Sequence, residues 1–225
     1  MRNLALVLAT ATVVAPPLRA QQPADTLPAI EISIAKRRLW VLSPAGDTVY
    51  SAPAAVGSGR VLQEGAKRWT FETPTGTAVV VAREVAPPWI PPDWHYIEIA
   101  RTLGLRTEQM RYGTRIALGD TTSLMARGAD IGLIGADSSF RILPPDEEII
   151  FGGVLYIPLF GTRNRRVEGT LGPYRLQLSN GIGIHGTPFR ESIGTAATHG
   201  CIRLHDADIT WLYENIPIGA RVIIR

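Results

Sequence analysis

The stretch THGCIR, residues 198–203, contains the only cysteine of this 225-residue chain. His199 and Gly200 come directly before Cys201, and a second histidine, His185, ends an apolar alternating segment upstream. An unpaired thiol in an oxidising compartment is exposed to oxidation and to wrong disulfides. A lone cysteine kept beside histidine and glycine is therefore a candidate nucleophile. A single cysteine also excludes an intramolecular disulfide.

Residues 1–20 have the pattern of a secretory signal. A positively charged start precedes an apolar run from Leu4 to Val14, and Ala20 comes before a polar stretch. The apolar run is too short to span a bilayer. We expect cleavage after Ala20, with no membrane span afterwards, and an exported protein of the periplasm or cell envelope. An uncleaved anchor is the alternative.

The charge of the chain bears on its partners. Arg2 and Arg19 leave with the signal, which lowers the formal charge of +3 by two, to +1. A chain so close to neutral is not expected to bind nucleic acid through bulk charge. The remaining length is sufficient for one domain with a sizeable core.

Alternation of apolar residues predicts a mainly β domain over residues 29–225, after a short polar linker at 21–28. Ile30, Ile32 and Ile34 alternate with polar residues, as in a strand with one buried face. The sequence between 174 and 185 contains Asn-Gly at a predicted hairpin turn. A helix is expected from Asp206 to Ile216. Further strands are expected at 39–42, 48–56, 77–83, 149–157 and 220–224.

The middle of the chain breaks this pattern. Prolines precede Asp93, which we expect to cap a helix that runs to about Leu103 and stops at Gly104. The segment from about 93 to 145 is predicted to hold short helical stretches and loops. We interpret it as an insertion or lid on the β scaffold.

The residues around Cys201 provide what a nucleophilic thiol needs. A free cysteine has a pKa near ~8.5, and a paired histidine lowers it to roughly 3.5–7.5. The loop of residues 186–197 can fold His185 back onto the thiol. His199 lies two residues from Cys201, so in an extended segment both side chains point to one face.

Gly200, two backbone amides and Arg203 provide the remaining groups of this candidate site. Gly200 lets the main chain pass close to a substrate. The amides of Gly200 and Cys201 are candidate oxyanion donors, each worth about 2.7–4 kcal/mol in other enzymes. Arg203 lies one alternation beyond Cys201, where its guanidinium can hold a carboxylate through two hydrogen bonds.

Two alternatives stay open on these residues alone. A lone cysteine in a strand is often a small buried hydrophobic side chain. A zinc site is the second alternative, because His-x-Cys with nearby histidines supplies suitable ligand types. The chain has no Cys-x-x-Cys pair. The four candidate zinc ligands are His185, His199, Cys201 and His205.

Several motifs together resemble the L,D-transpeptidases with a YkuD-type catalytic domain. The signature stretches are IHGTP at 184–188, SIG at 192–194 and THGCIRL at 198–204. Weaker landmarks are TPTGT at 73–77, LGPYR at 171–175 and PIG at 217–219. This chain has threonine at 198 where serine is more usual. The resemblance covers most of the chain after the signal.

The resemblance implies a fold, a site and a substrate. The fold would be a β-sandwich-like pair of mixed sheets. Cys201 would be the nucleophile and His185 the general base, with the Gly186 carbonyl orienting the imidazole. His199 and Arg203 would line the pocket. The thiolate would attack a peptidoglycan tetrapeptide stem, expel the terminal D-Ala and pass the acyl group to an amine of another stem, giving a 3→3 cross-link for cell-wall biogenesis and cell shape. No metal or organic cofactor would be required.

The resemblance leaves the acceptor open. A lipoprotein or another protein amine could accept the acyl group, and carbapenem β-lactams are expected inhibitors. Water would instead make the protein an L,D-carboxypeptidase or endopeptidase. A non-catalytic cell-wall-binding protein is the alternative from another class. For the segment from about Trp94 to Arg141 two roles stay open: it shields the thioester from water, or it simply packs on the domain.

Overall fold

The computed structural model describes residues 26–119 and 121–225, and these are mainly β, as predicted. The signal at 1–20 and most of the 21–28 linker lie outside the described residues. The helices are α1 (Asp93–Leu103) and α2 (Asp206–Asn215). The strands are, in chain order, β1 (Ala29–Ser33), β2 (Arg38–Leu42), β3 (Thr48–Pro53), β4 (Val56–Gly57), β5 (Val61–Glu64), β6 (Lys67–Thr70), β7 (Gly76–Val85), β8 (Arg106–Gln109), β9 (Ile116–Ala117), β10 (Ser123–Arg127), β11 (Asp130–Ile134), β12 (Phe140–Ile142), β13 (Ile149–Phe151), β14 (Val154–Ile157), β15 (Tyr174–Leu178), β16 (Gly183–His185), β17 (Ala196–Thr198), β18 (Ile202–Arg203) and β19 (Arg221–Ile224).

A curled mixed sheet of eight strands forms the scaffold, in the order β18-β16-β15-β7-β19-β1-β2-β3. The β1–β19 and β16–β18 pairs are parallel, whereas the others are antiparallel. The two edges of this sheet approach each other after β3. There Ala55 exchanges backbone hydrogen bonds of 2.9 and 3.0 Å with Arg203 of β18. This contact fixes the Cys-containing edge against the opposite end of the sheet.

The main core lies between this sheet and α2. Alternate residues of β1 and β2 are fully buried, since one face of each strand packs inward. Ile209, Leu212 and Ile216 of the α2 region join them in one apolar cluster. The structure contains the predicted hairpins, the α2 helix and the last strand, which confirms these predictions.

The middle of the chain differs from the prediction. α1 runs from Asp93 to Leu103 and stops at Gly104, as expected, but Pro92 occupies the N-cap and Asp93 makes no cap bond. Residues 106–142 form strands β8 to β12 instead of short helices. The reason lies in β10, where buried Leu124 and Ala126 alternate with more exposed residues and turn back into β11.

The strands at 149–157 also have an unexpected partner. They exist as predicted, but β14 pairs in parallel with β8, and neither β13 nor β14 joins the scaffold sheet. The middle segment therefore extends beyond 145 and has cores of its own. One of them packs α1 against Leu155 and Ile157 of β14 and against Leu62 and Phe71 of the β5–β6 hairpin region.

Candidate active site

Cys201 lies in a tight turn between β17 and β18 and is partly buried. The Thr198 hydroxyl stabilises this turn, because its Oγ1 donates to the Cys201 carbonyl at 2.6 Å and accepts the Gly200 N–H at 3.1 Å. Thr73 Oγ1 donates to the Gly200 carbonyl at 3.0 Å. Gly200 has φ of 126°, a conformation that favours glycine. The main chain around the thiol is thus held from two sides.

The two predicted oxyanion donors differ in their present hydrogen bonds. The Gly200 N–H is already bonded to Thr198 Oγ1, because threonine at 198 carries its hydroxyl back over the turn. The Cys201 N–H has no acceptor in the part of the chain that the structure describes. Of these two amides, the Cys201 N–H is therefore the one that has no partner among the described residues.

His185 is buried at the end of β16, next to the strand that follows Cys201. Its Nδ1 lies 2.6 Å from the Gly186 carbonyl oxygen. A carbonyl oxygen only accepts hydrogen bonds, so Nδ1 carries the proton and Nε2 presents a lone pair. Burial lowers the pKa of His185 to about 4. The hydrogen bond to Gly186 opposes this shift, whereas the positive charges of Arg203 and Arg175 add to it. The imidazole is therefore neutral at pH 7 and able to accept a proton.

Gly186 is restricted by a close approach. A Cβ at this position would lie 2.5 Å from Asp206 Oδ1 and 3.0 Å from the Pro173 ring. The same Asp206 oxygen accepts the Thr187 N–H at 3.2 Å. The start of α2 therefore holds the loop whose carbonyl orients His185.

His199 is held by residues from outside the cysteine motif. Its Nε2 lies 2.7 Å from Glu98 Oε2. Trp94 stacks on the imidazole with ring centroids 4.0 Å apart, and Phe71 contacts it edge-on at 4.4 Å. Burial lowers the pKa of His199, and the Glu98 carboxylate opposes that shift. Sequence reasoning did not find Glu98, because it precedes His199 by 101 residues.

Two arginines flank His185 in register across three strands. Arg175 of β15 is opposite His185, which in turn is opposite Arg203 of β18. Arg175 pairs with Glu84 through contacts of 2.8 and 3.1 Å. Among the described residues, no carboxylate forms a salt bridge with Arg203, which lies over the Phe189 ring at 5.8 Å. The Arg203 guanidinium thus has no carboxylate partner in the described part of the chain, and its role in binding a substrate carboxylate stays a prediction.

A cleft of about 1450 Å³ brings the predicted residues together. Its lining comes from the scaffold and from the middle segment, including Trp94 and His95 at the start of α1. This volume exceeds the roughly 300–1,000 Å³ of pockets that enclose one small molecule. Of the predicted site residues, it is lined by His185, His199, Cys201 and Arg203.

The zinc alternative is not assembled by this geometry. His185 and His199 are bonded to Gly186 and Glu98, and His205 is the residue before α2. Within residues 26–119 and 121–225, no group of three or more His, Cys, Asp or Glu side chains could hold a metal ion.

Neither described helix is long and apolar enough to cross a membrane.

Residues 28–224 match the family model of the L,D-transpeptidase catalytic domain, known as YkuD. The chain belongs to this family. The matched range contains the cysteine motif and the middle segment.

Individual relatives resemble shorter parts of the chain. A putative L,D-transpeptidase YkuD of Bacillus subtilis is 46% identical over 63 residues, which cover 28% of this chain and 38% of the relative. A probable L,D-transpeptidase YbiS of Escherichia coli is 40% identical over 55 residues, covering 24% of this chain and 18% of the relative. The matched stretches therefore span well under two thirds of these relatives.

Solved structures resemble a larger part of the chain at low sequence identity. An L,D-transpeptidase from Xylanimonas cellulosilytica superimposes with a TM-score of 0.46 and 14% identity, covering 92% of this chain and 65% of that one.

Proposed function

We propose that this protein is a cysteine-dependent peptidoglycan L,D-transpeptidase. The observation that supports this proposal most directly is the tautomer of His185. A neutral imidazole with its proton on Nδ1 and a bare Nε2 lines the same cleft as the only thiol of the chain. This is the arrangement that a general base requires to activate a cysteine.

In the first half-reaction, His185 Nε2 takes the Cys201 proton as sulfur attacks the carbonyl of the third residue of a tetrapeptide stem. The Cys201 N–H stabilises the developing oxyanion, and Arg203 holds a substrate carboxylate. Collapse of the intermediate breaks the peptide bond to D-Ala, whose nitrogen takes the proton from His185. The products are a thioester at Cys201 and free D-Ala.

In the second half-reaction, an amine of a neighbouring stem attacks the thioester, and the 3→3 cross-link forms as the thiolate leaves. A lipoprotein amine is a possible alternative acceptor of the same chemical class. No metal or organic cofactor takes part in either step. We place this activity in the cell envelope, after removal of residues 1–20.

Purified protein incubated with disaccharide-tetrapeptide tests this proposal, with products identified by mass spectrometry. We expect a cross-linked dimer and released D-Ala. A tripeptide without dimer would identify a carboxypeptidase, because water would then be the acceptor. Unchanged substrate would refute catalysis and favour a wall-binding protein.

A carbapenem provides an independent probe of the first half-reaction. The strained β-lactam carbonyl is attacked by the same thiolate as a peptide carbonyl, so we expect one covalent adduct at Cys201. Cys201→Ala is the matched control, and it should remain unmodified.

A further inference from the structure

Helix α1 directs two side chains at His199. Trp94 and Glu98 are four residues apart and therefore lie on the same face of the helix. Trp94 stacks on the imidazole at 4.0 Å with an interplanar angle of 15°, and Glu98 Oε2 contacts Nε2 at 2.7 Å. The second carboxylate oxygen of Glu98 pairs with Arg60 at 3.2 Å. The stacking on Trp94 and the hydrogen bond to Glu98 thus fix the orientation of the His199 ring.

The contacts give the two cleft histidines opposite tautomers. An ionised carboxylate only accepts hydrogen bonds, so Nε2 of His199 carries a proton and Nδ1 is left with the lone pair. Nδ1 has no hydrogen-bond partner among the described residues. In His185 the proton is on Nδ1 and the lone pair on Nε2. Each histidine therefore has one unprotonated nitrogen, which is Nε2 in His185 and Nδ1 in His199.

The charges around the two rings also differ. Arg175 and Arg203 flank His185 in the sheet, and both oppose a positive charge on that ring. Burial lowers the pKa of both rings, but at His199 the Glu98 carboxylate opposes that shift, against smaller effects of Arg60 and Arg203. Environments that separate two titratable groups in this way assign them different tasks. His185 suits a brief proton transfer, whereas His199 suits holding a proton beside a carboxylate.

We propose that Glu98 and Trp94 are positioning residues that make His199 the base for the incoming amine. This inference rests on the proposed function. In the step, the amine nitrogen bonds to the thioester carbon and the carbon–sulfur bond breaks. One proton of the amine goes to His199 Nδ1, and the thiolate leaves. The imidazolium then releases that proton, which returns the thiolate to a thiol. His185 is thereby needed chiefly for the attack of Cys201.

The competing explanation is that Glu98 only attaches α1 to the scaffold. The chain offers a matched control for this, because Arg101 of the same helix contacts Glu64 of β5 at 2.7 Å without contacting His199. Glu98→Gln removes the carboxylate charge at His199, and Glu64→Gln removes a comparable attachment of the helix. Trp94→Phe, which keeps an aromatic face, is the second test variant.

The experiment measures one rate, one product ratio and one spectroscopic property in the full protein. Carbapenem acylation of Cys201 reports the first half-reaction. The dimer-to-tripeptide ratio from disaccharide-tetrapeptide reports how the thioester partitions between amine and water. Because positioned bases contribute about 10²–10⁴-fold, Glu98→Gln should lower this ratio at least about tenfold. Acylation should fall by less than about threefold, and Glu64→Gln should leave the ratio as in the unmodified protein.

Imidazole ¹⁵N NMR supplies a readout that does not depend on turnover. The unmodified protein should show His199 protonated on Nε2, and Glu98→Ala should lose this preference. Equal losses of acylation and transfer in Glu98→Gln, or a changed ratio in Glu64→Gln as well, would overturn the role of Glu98. An unchanged ratio in both Glu98→Gln and Trp94→Phe would do the same. If the unmodified protein itself forms neither adduct nor dimer, the proposed function fails first.

Discussion

The buried His185 should make the protein less stable in acid by a predictable amount. In the unfolded chain a histidine has a pKa near about 6.5, whereas burial lowers the pKa of His185 to about 4 in the folded state. Between these values the unfolded state binds a proton that the folded state does not. The free energy of unfolding therefore falls as the pH drops through this window. This contribution is fully present above pH 6.5 and is lost on approaching pH 4.

The size of the effect follows from the difference between the two pKa values. A difference of about 2.5 units at about 1.36 kcal/mol per unit gives about 3 kcal/mol by pH 4. Other ionisable groups also contribute to the total pH dependence, so the total is not diagnostic. The difference from His185→Gln is diagnostic, since glutamine can still donate to the Gly186 carbonyl but does not titrate.

Urea denaturation followed by tryptophan fluorescence measures this difference between pH 7 and pH 4. The unmodified protein should lose about 3 kcal/mol more than His185→Gln over that range. Parallel curves for the two proteins would refute the reasoning, because they would mean that His185 titrates alike in the folded and unfolded states.

Three other predictions concern the site itself. Cys201→Ala should fold normally, release no D-Ala and form no carbapenem adduct, and turnover in a folded, pure variant would contradict its role. His185→Ala should slow alkylation of the thiol at pH 7 more than His199→Ala does, by about 10²-fold or more; the reverse order would exchange the two roles. Gly186→Ala should lower the free energy of unfolding by about 1–3 kcal/mol because its Cβ meets Asp206 at 2.5 Å, whereas unchanged urea midpoints would mean that the loop relaxes at no cost.

The scaffold could be predicted from sequence because its signals are local. The alternation of Ile30 and Ile32, the Asn-Gly turn before β16 and the helical spacing after Asp206 all act within about ten residues, and the structure has those elements. The cysteine motif also brings Cys201 and its neighbours together within six residues. Such patterns depend on short-range geometry, so they predict an element without knowledge of its distant partners.

The missed features depend on contacts between distant parts of the chain. Among strands β8 to β12 only β10 alternates buried and more exposed residues, and the others depend on pairing with a neighbouring strand. Asp206 reads as an ordinary helix-start residue, although its carboxylate also supports the loop at Thr187. The sequence indicates a solvent-facing strand residue at Arg175, and only the strand register shows that it lies opposite His185. None of these partners can be identified from spacing alone.

The middle segment behaves as a fixed wall of the cleft more than as a separable lid. Tyr96 and Ile97 of α1 are buried in a core with Phe71, which follows β6, so removing the segment would expose that core to water. We still propose that this segment keeps water from the thioester, but the means would be the static packing of α1 beside the cleft. The same helix also holds His199 through Glu98. Exclusion of water and activation of the amine would then depend on a single element, and together they favour transfer over hydrolysis.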